Sequence, residues 1–277
     1  MPGGSVRRTT SLMLVTALVG IGLPLAAAEL VDSVAYRAVL RRVVRTGGID
    51  YTELATHRMH LDRYLEEMAT ADLDSGTPAE RTALWINAYN AGTLRLLLDR
   101  YPLRRSSPLG YLYPENSIRQ VADAWDRVQL RVGGRSFSLN EVARQAVGRG
   151  QEPLVYFALA SGARGAPRLS AEPYVGKRLK AQLEKAARVY LDNPEHGFHI
   201  DAPGSRVSLS RLFLWHGRDF LTGYSEGPLS GTARFSEIEA AVLHFIRERR
   251  PPDQRAYLEE GAYSLRYLAH DWMLSGW

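Results

Sequence analysis

The chain has 277 residues, 45% of them hydrophobic and 23% charged. That balance is globular and excludes intrinsic disorder and low-complexity fibres. Cysteine is absent and the formal net charge is +5, so disulfides, thiolate nucleophiles and cysteine zinc sites are excluded and the basic bias is mild.

In chain order, the first segment reads as an address. Arg7 and Arg8 precede an apolar run over 12–25, and Ala26-Ala27-Ala28 offers an A-x-A cleavage site. A charged region, an apolar region and small residues in that order describe a secretory signal peptide. Residues 1–28 are therefore expected to be cleaved, with Glu29 at the mature N-terminus. The alternative is a retained anchor, at the short edge of what spans a bilayer. Cleavage leaves a charge of +3. No later apolar stretch is long enough to cross a membrane, and no basic run is interleaved with aromatics as a nucleic-acid groove requires. The expectation is an exported protein, periplasmic or secreted, soluble, with no nucleic-acid partner.

Residues 29–277 read as one domain, because the loops around 72–78, 104–116 and 201–205 are short. Residues 34–44 form an amphipathic helix ended by Gly47-Gly48. Thr77-Pro78-Ala79-Glu80 combines an N-cap, a proline at the first helical position and a glutamate at the third. The helix that follows carries Leu84, Ala88, Ala91, Leu94 and Leu98 and stops near Tyr101-Pro102. Residues 128–132 and 135–139 form a hairpin about Gly133-Gly134. The apolar run 154–160 is expected to be a buried strand. A helix with Val175, Leu179, Leu183, Ala186 and Tyr190 follows. Short strands come next at 198–201 and 207–209, helices at 211–215, 235–248 and 253–259, and a last strand at 263–268. Arg247, Arg249 and Arg250 are expected only to end a helix. Strands and helices mix without βαβ alternation, which predicts α+β: a central helix packed on a small, mostly antiparallel sheet with surrounding helices.

The central helix contains Trp85-Ile86-Asn87-Ala88-Tyr89-Asn90-Ala91. Asn87 and Asn90 share a face at i and i+3, and asparagine is a poor interior helix residue. Their amides are expected either to tie neighbouring loops to the helix or to contact a ligand. This heptapeptide resembles the hallmark of the family called domain of unknown function 547. Ile49-Asp50-Tyr51, Ser138-Leu139, Phe157-Ala158-Leu159 with Gly162-Ala163-Arg164 and Pro167, the segment 209–220 and the segment 267–274 resemble further motifs of that family, in order. The family carries no settled activity, only a loose redox association. Its usual histidine and two cysteines are replaced here by Tyr156, Ser161 and Ala166. His216 and His270 stand where the family has tyrosine. The resemblance thus implies that a histidine–tyrosine contact has been exchanged, with Tyr156 facing His216 or His270.

Two functional readings follow. In the first, the protein is an exported binding or interaction domain, independent of thiols. Its ligand is a small anion or an envelope component. Asn87, Asn90, Tyr156, Arg164, Arg168, Trp215 and Trp272 line the site, and the arginines hold a carboxylate or phosphate. In the second, Ser161 is the nucleophile of an acyl hydrolase or transferase, His270 or His216 its base, and Asp271 or Asp219 the orienting carboxylate. The pairs His57/His60 and His196/His199, with Asp192, Glu195 and Asp201 near the second, could offer imidazoles to a metal. They sit among turn residues and read better as surface. No cofactor and no metal are expected.

Overall fold

The computed structural model describes residues 29–105, 108–148, 152–225 and 234–277. The expected signal segment lies outside them. The first elements are helix α1 (Val34–Val43), the two-residue strands β1 (Val44–Arg45) and β2 (Gly48–Ile49), and helices α2 (Tyr51–Thr56) and α3 (Arg58–Ala69). Helix α4 (Pro78–Arg100) is the axis of the molecule. Thr77 and Glu80 form a reciprocal capping box at its start, with Pro78 in the first turn. Residues 83–94 of α4 are buried on every side, as befits a helix apolar all round.

A short turn, α5 (Ala124–Arg127), leads to the hairpin β3 (Gln129–Val132) and β4 (Arg135–Ser138). Gly133 and Gly134 both take positive φ, the conformation a two-residue type I′ turn needs. Helix α6 (Leu139–Val147) has its own capping box, Ser138 with Glu141, and packs along α4. Helix α7 (Leu179–Leu191) buries Leu179, Leu183, Ala187, Tyr190 and Leu191. Val175 of the expected stripe lies before the helix, and Ala187 rather than Ala186 faces the core.

The rest of the chain forms β5 (Phe198–Asp201), β6 (Arg206–Leu209), α8 (Arg211–His216), the turn α9 (Leu221–Tyr224), α10 (Glu237–Arg247), α11 (Pro252–Glu260) and β7 (Ser264–Tyr267). β5 pairs antiparallel with β6, and β6 parallel with β7. The architecture is α+β, as expected, with the strands shared among three small sheets. Arg249 and Arg250 follow α10 and are buried. Arg249 grips Glu184 of α7 through two contacts of 2.6 and 3.0 Å, and Arg250 holds Asp192 at 2.8 Å. These pairs fix α7 from behind.

One expectation is corrected. Residues 153–158 form a 3-10 turn, Pro153–Ala158, and not a buried strand. Glu152 caps the Leu154 N–H, and Pro153 sits in the first turn. The apolar side chains are buried as expected. The backbone groups just after them, however, are met by the Asn90 side chain rather than by a neighbouring strand.

The last seven residues form a strap. Backbone bonds join Gly165 to Asp271, Arg164 to Met273, Ser275 to Gly162, Leu274 to Asn116, and Trp277 to Ile49 and Tyr51. One hydrophobic core runs from Val31 to Leu274. Among the described residues, no helix is long and apolar enough to cross a membrane.

Candidate functional site

The two asparagines of α4 point at different loops. The Asn87 amide donates to the Tyr174 carbonyl at 2.8 Å and accepts from the Tyr174 N–H at 2.9 Å. Asn90 donates to the Ala158 carbonyl and accepts from the Ala160 N–H, both at 2.9 Å. Both side chains are buried. Each amide thus acts as a one-residue substitute for a strand, satisfying backbone that no ladder reaches. Of the two roles open to them, this is the loop-tying one. It fixes the loop from 160 to 174 on top of α4.

The strap brings His270, Asp271 and Trp272 against that loop. A Cβ on Gly165 would lie 2.7 Å from the Asp271 nitrogen and 2.9 Å from His270 Nδ1, so the approach needs glycine. His270 is enclosed by Trp215 and Trp272, with ring centroids at 5.0 and 4.3 Å. Trp272 continues to Trp125 and Tyr113, both at 6.3 Å. Arg119 lies over Tyr113, Trp125 and Trp272 at 4.6 to 5.8 Å. This aromatic cluster is partly open to solvent, with Trp215 47% exposed. Burial, together with the nearby His196, pushes the His270 pKa down to about 4, and its buried Nε2 has no hydrogen-bond partner.

Tyr156 faces His216, as the resemblance implied. The rings stack at 3.9 Å and 18°. The Tyr156 hydroxyl donates to the Asp219 carboxylate, which with burial raises its pKa. Burial lowers that of His216. Ser161 is half-buried beside these groups in sequence but joins none of them. Among the described residues its hydroxyl makes no hydrogen bond, and neither His216 nor His270 bonds to it. His216 lies on Tyr156, His270 among tryptophans, and the Asp271 carboxylate accepts from the Met273 N–H. Among the described residues Ser161, His216, His270 and Asp271 form no hydrogen-bonded relay.

Arg164 and Arg168 sit elsewhere again. They line a cleft of about 900 Å³ between the 164–172 loop and the outer face of α7, whose lining also includes Val44, Arg45 and Asn193 to Glu195. Arg45, Arg164, Arg168, Arg178 and Lys185 border it. Among the described residues none of these five makes an ion pair. Two of the acids on the same walls are paired with arginines, Glu172 with Arg37 and Arg41 at 3.2 and 2.6 Å and Asp192 with Arg250, while the exposed Glu195 has only the His196 ring at 4.0 Å. Arg37, Arg41 and Arg250 all lie outside the lining, so Glu172 and Asp192 are paired from behind; of the five cations, Arg45 donates to the Arg41 and Val44 carbonyls and Arg164 reaches Met273 Sδ at 3.8 Å. Within hydrogen-bonding range of an anion, each such cation attracts it by a charge-assisted bond worth roughly 1.5–3 kcal/mol.

The residues expected to form one site are therefore divided. Asn87 and Asn90 support the loop from below, and Tyr156 pairs with His216 and Asp219. Trp215 and Trp272 build the aromatic cluster, and only Arg164 and Arg168 line the cleft. Arg178 and Lys185 were missed. Arg178 stands at the N-cap of α7 and Lys185 lies seven residues on, opposite the buried stripe of that helix, and that second face was the available signal. His57 is held by Thr56 and the Glu53 carbonyl, while His60 and His199 are exposed. Among the described residues no group of three His, Asp or Glu side chains could hold a metal.

An α+β domain built on a central helix buried over residues 83–94, with a basic cleft beside it, is the class of protein these features define. The family model described as "Protein of unknown function, DUF547" matches residues 73–191, so that segment is similar to this family. The matched segment contains α4, the hairpin, α6, the 3-10 turn and both walls of the cleft. Comparison with curated proteins and with solved structures returned no match.

Proposed function

We propose that the protein is an exported binding domain that holds a small anionic ligand in the cleft between the 164–172 loop and α7. The observation that carries this reading is the charge arrangement. Among the described residues the five basic side chains on the walls make no ion pair, whereas Glu172 and Asp192 each have an arginine partner of their own. Opposed arginines can grip a carboxylate or phosphate in a bidentate manner. The walls are stiff, because the Asn87 and Asn90 amides hold the loop and Arg249 and Arg250 hold α7. A preformed site loses less ordering entropy on binding. Export rests on the charged, apolar and small-residue order of residues 1–28.

Calorimetric titration with inorganic phosphate and short dicarboxylates at low salt tests the reading. Arg164→Ala is expected to weaken the bound anion about tenfold, the equivalent of one lost contact of about 1.4 kcal/mol. Added salt should weaken it further. No heat from any anion, or affinity unchanged in an Arg164→Ala/Arg168→Ala variant, would remove it. Ser161, without a base, is expected to stay unlabelled by a fluorophosphonate probe. Stoichiometric labelling lost in Ser161→Ala would establish a serine enzyme instead.

A further inference from the structure

The floor of the cleft is apolar, and a small hydrophilic anion has no use for it. Phe157, Ala166 and Tyr190 form its base. The Tyr190 hydroxyl is spent on the Gly165 carbonyl and Ser210, at 2.8 and 2.7 Å. On α7, Ala181, Ala186 and Val189 continue the apolar surface along the open face, and Val189 is 48% exposed. Of the polar side chains among them, Gln182 is consumed by the Val175 N–H and the Pro173 carbonyl, and Lys185, between Ala181 and Val189, is one of the five cations. An elongated apolar floor under a cationic rim is complementary to an amphiphile.

We propose that the occupant is a single-chain amphiphile with a phosphate head group. Its alkyl chain lies along α7 and its phosphate among the arginines. Five cations exceed what one carboxylate can use, whereas a phosphate monoester carries a charge of about −1.5 to −2 and three strong acceptor oxygens. The head belongs at the Arg178 end of α7, because Asp192, Glu195 and the negative end of the helix dipole occupy the other. The cleft, at about 900 Å³, is near the upper end of small-ligand sites, which run to about 1,000 Å³, so a single chain is accommodated. This inference rests on the anion-binding reading and adds the chain and the head group to it.

Binding to the full-length-expressed protein is measured below micellar concentration for five probes: glycerol phosphate, monoacylglycerol phosphate, a fatty acid of equal chain length, neutral monoacylglycerol and inorganic phosphate. Monoacylglycerol phosphate is expected to bind at least about 100-fold tighter than glycerol phosphate, since each buried methylene contributes up to about fourfold. Val189→Asp should remove most of that ratio. Met59→Asp, an exposed apolar-to-acid change on α3, should leave it intact. Arg168→Glu/Arg178→Glu should weaken both phosphates by about tenfold or more. Equal affinity for the two phosphate esters overturns the chain and leaves the anion reading standing. A fatty acid bound as tightly as the phosphate overturns the head group. Neutral monoacylglycerol bound as tightly, or no probe bound, overturns both.

Discussion

His270 shows how much a single residue's surroundings decide. Enclosed by two indoles and the Gly165 backbone, its imidazole is easier to keep neutral than to charge. Burial is the main cause, His196 and Arg211 add to it, and Asp271 opposes it. The folded pKa of about 4 lies below the usual value near 6.5. The neutral ring's contribution to stability is therefore complete above about pH 6.5 and is lost as the pH falls toward about 4. Urea unfolding midpoints measured across that window should decline, and His270→Gln should flatten the decline. An identical slope in wild type and variant would mean that the ring is not held neutral. Asn87 offers a second residue-scale test. Asn87→Leu strands both backbone groups of Tyr174 and should cost roughly 1–3 kcal/mol, read as a lower melting temperature. An unchanged melting curve would show the amide to be idle. That the asparagines had a special task was legible in their spacing. Their partners were not, because Tyr174 is 87 residues from Asn87 and Ala158 is 68 from Asn90, and no local pattern encodes such pairings.

At the scale of elements, the strongest local signals were the most legible. The Thr77 capping box starts the central helix where its sequence placed it, because a cap is decided within four residues; the structure adds like boxes at Ser138 and Ser236. Thr77→Ala removes one side of the box on the central helix and should cost about 1 kcal/mol, seen as a shifted denaturant midpoint. No shift would show that tertiary packing alone sets where α4 begins. The apolar run 154–160 was legible as buried but not as a 3-10 turn. Burial follows from composition, whereas the choice between strand and turn was made by Pro153 and by the Asn90 amide arriving from α4. The outer face of α7 was passed over for a related reason. Its buried stripe dominates the periodicity, and alanines with a single valine among charged residues resemble an ordinary solvent face until the 164–172 loop is seen opposite them.

At the scale of the whole molecule, the strap made by the last seven residues ties together segments that start near Ile49, Asn116 and Gly162. It thereby sets the aromatic cluster beside the basic cleft without merging them. The reading from sequence joined Trp215, Trp272, Arg164 and Arg168 in one site because their motifs belong to one family pattern. Only three-dimensional placement separates them. Export is a whole-chain property too. Glu29, where a chain cut after Ala28 would begin, is exposed and accepts a hydrogen bond from Ser33 at 2.5 Å. N-terminal sequencing of protein from the native host should read Glu29 first, and intact Met1 recovered from the cytosol would contradict export. The binding site itself is tested most directly by hydrogen–deuterium exchange with and without a saturating phosphate ligand. Slower exchange in the 164–172 loop and in α7, with no change in α8 or at 270–273, is the expected result. Protection confined to α8 and 270–273, with the loop and α7 unaffected, would contradict it and move the site to the tryptophans.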